Sequence, residues 1–324
     1  MKRFYLCLFL FSFVFSNYVF AQEIDVFLTG MSNQTSKAYA ETNISKLINA
    51  INISFNLKQP LNLNGVNISP EAAKSLDMLW DTSVFHCVED EIVEEALIIG
   101  LRGEYEVRNI PFLFEDLDED DRYHEVAITF TKSGSISSFR LVLDNNLYRQ
   151  VITSGSAVTD IRRRQLILDY VEQFRTSYNT KDLVFLNQVF SDDALIITGR
   201  VINSRNTDSA LRSSSPRIEY TKQNKAQYIS KLSRIFKNNK RVHVTFDKIK
   251  VMCHPVNADW YGVTLHQGYS TDSYHDDGWV FLLWDFTIED APVIHVRTWQ
   301  PDAFEGRSLD EDEIFGIDDF NIFN

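Results

Sequence analysis

Asp285, His295, Arg297 and Trp299 fall in two strand-like runs near the end of the chain, GWVFLLWDFT from Gly278 to Thr287 and VIHVRTW from Val293 to Trp299. A carboxylate or an imidazole in apolar surroundings is the usual general base, provided it faces a donor that can polarise a carbonyl. On an alternating strand His295, Arg297 and Trp299 share one face, opposite Ile294, Val296 and Thr298. Asp285, set among apolar neighbours, needs a partner, and Arg297 across the hairpin is the candidate. Asp285 and His295 are therefore the candidate catalytic groups. A structural ion pair accounts for Asp285 more simply than a general base does, and a hydrogen-bonded surface position does the same for His295.

Other reactive patterns are missing. The sequence has no GxSxG phrase, no phosphate-cradling glycine loop and no Cys–His arrangement in a recognisable context. His86-Cys87 and Cys253-His254 are chain neighbours, and neighbours on a strand point to opposite faces, so neither pair makes a dyad. No CxxC, HExxH or zinc-spaced His/Cys cluster occurs, and neither a metal nor a cofactor is expected. The acidic run from Glu115 to Asp121 lacks the turn glycine and distal glutamate of a calcium loop and reads as a solvated hairpin tip. Asp192-Asp193 reads as a helix-to-strand turn.

The chain opens MKRFYLCLFLFSFVFSNYVFAQ, with two cations, an apolar run from Phe4 to Phe15, and then Val19-Phe20-Ala21. That is the pattern of a secretory signal peptide over residues 1–21, cleaved after Ala21. The apolar run is shorter than the roughly 20 residues a membrane-spanning helix needs. Loss of Lys2 and Arg3 with this leader takes the formal net charge from −13 to −15. So acidic a chain is a poor partner for nucleic acid or an anionic membrane, both of which require clustered Lys and Arg. The triplet Arg162-Arg163-Arg164 reads as a solvated helix face. The mature protein is expected to be soluble, secreted or periplasmic. Cys87 and Cys253 fall in different predicted domains and are expected to be free, although an exported protein permits their pairing.

These residues are positioned by an element pattern that occurs twice. Downstream, Leu166, Tyr170, Phe174 and Tyr178, with Ile167 and Val171, make one stripe of an amphipathic helix. A short helix over 181–190 leads into a strand at Ala194 to Ile197. Thr221 is the expected N-cap of a third helix bearing Tyr228, Ile229, Leu232, Ile235 and Phe236. Four strands follow, at 242–253, 259–269, 278–287 and 293–299, of which the third is apolar on both faces. Upstream, Ile44, Leu47, Ile48, Ile51 and Phe55 form a helical stripe, and Ser69-Pro70 opens a second helix. Strands are expected at 92–100, 104–114, 123–132 and 135–144. Helices followed by an antiparallel meander is an α+β plan. The division is a signal peptide (1–21), an N-terminal domain (22–153), a C-terminal domain (157–303) and an acidic-aromatic tail (304–324) that docks onto the chain.

The downstream order of long helix, short helix, the phrase VFSDDALIITG from Val189 to Gly199, third helix and Trp-bearing four-stranded sheet resembles the nuclear transport factor 2-like superfamily, also called SnoaL-like or cystatin-like α+β cones. The resemblance spans 162–302 and is weaker upstream. It implies a bent sheet wrapped around helices to leave a cone-shaped pocket, with two such domains in tandem. It further implies a sheet face used for dimers, so that a tandem chain forms an intramolecular pseudo-dimer burying Trp284 or Trp299 between its halves. Some relatives, such as ketosteroid isomerase, scytalone dehydratase and polyketide cyclases, are enzymes. By that resemblance Tyr178, Tyr269, Trp284, His295, Arg297 and Trp299 are candidate ligand-binding residues, with His266 also near the cone. The absence of a catalytic signature favours a non-enzymatic binding protein for a small apolar molecule or a protein partner. The alternative is a small-molecule lyase, isomerase or cyclase using the C-terminal cone.

Overall fold

The structure is a computed structural model describing residues 23–99, 103–115, 117, 122–143, 145–154, 161–202 and 217–320. The expected signal peptide and most of the acidic run 115–121 lie outside the described residues.

The first unit begins with β1 (Asp25–Thr29), α1 (Gln34–Leu57) and α2 (Pro70–Thr82), followed by β2 (Phe85–His86), β3 (Glu91–Ile99), β4 (Glu104–Phe114), β5 (Tyr123–Phe130) and β6 (Ile136–Leu141). Ser69 caps α2, its hydroxyl accepting from Ala72 N at 3.1 Å, and Pro70 occupies the first turn, where its missing N–H costs nothing. The sheet order is β1-β3-β4-β5-β6, with β2 on β4. Leu47, Ile48 and Ile51 of α1 and Leu76 and Trp80 of α2 bury the inner face with Phe112, Val126, Ile128 and Phe139.

The second unit comprises α3 (Asn145–Ser154), α4 (Ile161–Asn179), α5 (Leu183–Val189), β7 (Phe190–Ile202), β8 (Arg217–Asn224), α6 (Lys225–Asn238), β9 (Val242–Cys253), β10 (Trp260–Thr271), β11 (His275–Asp285) and β12 (Val293–Pro301). Its sheet order is β8-β7-β12-β11-β10-β9. Both halves are thus helices packed on a sheet, an α+β plan. Each sheet has six strands rather than the expected four. The extra strands join differently: β1 adds parallel to β3, the first strand of its meander, whereas β7 adds parallel to β12, the last. The third helix starts after Asn224, which forms a reciprocal cap with Gln227, while the expected cap Thr221 lies within β8. Helix α3 was not anticipated. Its Val151, with Leu143 just before it, belongs to the second core, although both precede the expected boundary. Cys87 and Cys253 are unpaired.

The two sheets approach each other at His124 of β5 and His243 of β9, whose rings lie 5.1 Å apart, and neither Trp284 nor Trp299 is buried between the halves. Arg108 lies over the Tyr148 ring of α3, and the outer face of the first sheet also meets α4. The apolar stripe of α4, with Ile167, Val171 and Phe174, enters the second core, while its opposite side presents Asp169, Glu172 and Arg175 to the first sheet. Glu172 Oε1 lies 2.5 Å from Arg108 Nη2 and its Oε2 3.3 Å from Arg140 Nε. Arg140 Nη2 bonds Glu106 at 2.6 Å and Asp169 at 3.1 Å. Leu143 N also donates to Glu172, at 3.0 Å. Burial alone would raise the Glu106 carboxyl, but the two guanidiniums outweigh it and hold it below its ordinary value.

Of the basic triplet only Arg162 is solvated. Arg164 is buried, and Arg163 pairs with Glu289 at 2.9 Å. On the other side of the second sheet, the tail lays Phe315, Ile317 and Phe320 over Phe281, Leu283 and Val296. Phe320 stacks on Phe281 at 5.4 Å between centroids, and Phe315 N donates to Gln300 at 2.7 Å. This explains the doubly apolar run on β11: Val280, Leu282 and Trp284 face the helices, while Phe281 and Leu283 face the tail.

Candidate functional site

The register of β12 decides what faces the helices. Opposite β11, Trp284 pairs with Ile294 and Leu283 with Val296, so His295 is an extra residue, a β-bulge. The bulge resets the alternation. Ile294 points inward, Val296 outward, and Arg297 inward again. His295 therefore does not share a face with Arg297 and Trp299. It stacks on Trp260 at 4.7 Å, with its ring nitrogens 3.3 Å from Asp285 and 3.5 Å from Asp193. Asp285 thus pairs with His295 and the Thr287 amide rather than with Arg297. These hydrogen bonds outweigh burial and hold the Asp285 carboxyl below its ordinary value.

Arg297 is 5 % exposed and projects into a cavity of about 500 Å³ between α6, the end of α4, and strands β7, β10, β11 and β12. Its guanidinium lies 5.2 Å from the centre of the Tyr228 ring, a cation–π contact, with the Tyr178 hydroxyl on the same cavity wall. The Tyr178 and Tyr228 hydroxyls are 2.5 Å apart. Among the described residues no carboxylate lies within ion-pair distance of Arg297, and neither its Nε nor the buried Tyr269 hydroxyl has a hydrogen-bond partner. Lys231 and Arg200 lie on the cavity wall.

Burial and the neighbouring Tyr228 raise Tyr178 well above the ordinary phenol value, and burial pushes Tyr269 up to about 12. Both stay protonated at neutral pH and act as donors. Lys231 is lowered, first by burial and then by Arg297. Among the described lining residues there is no histidine and one carboxylate, Asp276, which accepts from Tyr274 at 2.5 Å and whose carboxyl is raised by burial. The cavity offers positive charge, hydrogen-bond donors and aromatic walls.

Of the six residues expected to bind a ligand, the structure brings Tyr178, Tyr269, Arg297 and Trp299 to this cavity. Trp284 is instead enclosed in the core beside Tyr170, Phe174 and Phe286. His295 lies outside with Asp285. His266 is also elsewhere, its Nδ1 2.9 Å from Asp247. Sequence reasoning missed Tyr228 as a site residue, reading it as part of an apolar helix face. A hydroxyl at a position that burial alone would fill with Leu was the available signal.

No family model matches the chain, and no curated protein matches it. Part of the chain is similar to solved structures. Bd1075 of Bdellovibrio bacteriovorus is 15% identical over 45% of this chain, which spans 44% of that protein's length, with a TM-score of 0.33. Nuclear transport factor 2 from Cryptosporidium parvum is 12% identical over 42% of this chain and 92% of its own, at 0.32. ActVI-ORFA from Streptomyces coelicolor is 12% identical over 43% and 96%, at 0.31. Each likeness covers under half of this chain. In the second unit a long helix, a short helix, a strand and a further helix precede four successive strands, the element order read from the sequence with β8 added.

Proposed function

We propose that the chain is an exported, non-enzymatic binding protein whose second unit holds a small, largely apolar molecule in the cavity beneath β12. The observation that carries this reading is the cavity itself: about 500 Å³, walled by Tyr178, Tyr228, Leu232 and Trp299. That size suits a small ligand. The signal-peptide pattern and the acidic charge support export and argue against a nucleic-acid partner. Trp299 on the wall supplies a fluorescence reporter. A panel of small aromatic and aliphatic compounds should give saturable quenching with the wild-type chain, and Leu232→Trp, which fills the cavity, should abolish it. Equal quenching in a folded Leu232→Trp variant would place the binding elsewhere and refute the reading.

A second reading, a lyase, isomerase or cyclase, is favoured by one feature, the Tyr178–Tyr228 hydroxyl pair backed by Arg297, which could polarise a carbonyl. Mass analysis of bound compounds after incubation separates the two. Unchanged compound supports binding alone, whereas a product that disappears with Tyr178→Phe supports the enzyme.

A further inference from the structure

Among the described residues, Arg297 is a buried cation without a counter-charge. Enclosing an ion in a low-dielectric interior costs several kcal/mol unless charge and hydrogen bonds compensate it. Here the compensation is partial, consisting of the face of the Tyr228 ring at 5.2 Å. Arg297 Nε and the Tyr269 hydroxyl, both buried, have no acceptor among the described groups and belong to the same cavity. Lys231 and Arg200 add two further cations to the wall, against the single carboxylate of Asp276, in a chain whose formal net charge is −13. A donor set of this kind wants an acceptor with negative charge.

We infer that the cavity recognises a carboxylate: the ligand's anionic head meets Arg297 and Tyr269, and its apolar body lies against Trp299, Leu232 and Ile235. A planar carboxylate accepts at two oxygens, matching the fork of a guanidinium, and charge-assisted bonds of this type are about twice as strong as neutral ones. Asp276, the one carboxylate among the described lining residues, accepts from Tyr274 and is not within ion-pair distance of Arg297. Recognition by Arg297 also explains why the aromatic residues around it are tyrosines rather than phenylalanines. The Tyr178 and Tyr228 hydroxyls bond each other beside the guanidinium, and the Tyr269 hydroxyl is left to orient an incoming oxygen.

The inference rests on the binding reading above, and the experiment separates the two. Calorimetry on the whole mature chain is run with matched pairs that differ only in charge: cinnamate against cinnamamide, and octanoate against octanamide. Each carboxylate is expected to bind on the order of 10-fold more tightly than its amide. Arg297→Gln should erase that gap by weakening the acid about 10-fold more than the amide, while Arg297→Lys should retain part of it. If Arg297→Gln fails to fold, Tyr269→Phe and Lys231→Met carry the test, each narrowing the gap between acid and amide. Equal affinity for acid and amide in the wild-type chain overturns the carboxylate inference and leaves a neutral-ligand cavity standing. Binding of none of the four compounds overturns both. A gap that survives every one of these variants also overturns the inference.

Discussion

A single extra residue on β12 decides which side chains meet the cavity. Val293 to Trp299 alternates cleanly in the sequence, and nothing in the residue types marks His295 as a bulge. Residue chemistry was legible there; facing was not, because a one-residue slip exchanges the two faces of a strand. The consequence is testable. Asp285→Asn and His295→Ala should leave ligand binding unchanged and cost about 1 kcal/mol or less in urea unfolding, since they break a partly solvated pair at the sheet's outer side. Loss of binding in a folded Asp285→Asn variant would return these residues to the site. Trp284→Ala, by contrast, empties a fully buried position and should cost about 3–5 kcal/mol in the same assay. Its indole was expected at a ligand or a domain interface. An aromatic residue on a doubly apolar strand does not reveal which of two buried faces it serves.

At the scale of elements, the long periodic segments were the legible ones. The stripe on α4, the capped start of α2 and the β9–β12 meander follow from period and punctuation. The missed strands have physical reasons. β8 reads RIEYTKQN, polar and mostly exposed, because it is the edge of its sheet and pairs on one side alone. β1 is five residues long, and its alternation is real but short. The tail was legible through its apolar residues, which a solvated segment does not need. Its docking depends on Gly262, where a Cβ would come within 2.9 Å of the Phe281 ring and 3.1 Å of Ile317. Gly262→Val should release the tail, raising hydrogen exchange at 310–320 while the rest of the second unit keeps its protection. A chain ending at Leu309 should expose Phe281, Leu283 and Val296 together and self-associate in light scattering. A truncated chain that stays monomeric and binds no apolar dye would show that the tail is not needed to cover this face.

Across the whole molecule, the halves are joined by charge buried between α4 and the first sheet. Asp169 and Glu172 occupy the side of α4 that a helical-wheel reading assigns to solvent, so nothing in the helix's own pattern discloses a second sheet against it. The cluster holds three carboxylates, Glu106, Asp169 and Glu172, against two guanidiniums, Arg108 and Arg140. One carboxylate is in excess, and a proton is the simplest compensation. Burial, with Arg140 opposing and the Glu106 and Glu172 charges adding, pushes Asp169 up to about 7 from 3.8. The folded state therefore holds this proton more tightly than the unfolded chain. The associated stability is fully present below about pH 4, is lost as pH rises towards 7, and changes no further above that. Asp169→Asn keeps the hydrogen-bonding shape and removes the titration. It should be at least as stable as wild type above pH 7, and the difference between the two unfolding free energies should vary with pH only between about 4 and 7. Glu172→Gln is the opposite case. It strips the principal partner from Arg108, and breaking a buried pair from one side costs about 3–5 kcal/mol. If Asp169→Asn and wild type instead show parallel stability curves from pH 4 to 8, the excess charge is neutralised elsewhere, and Asp169 does not carry the interface proton.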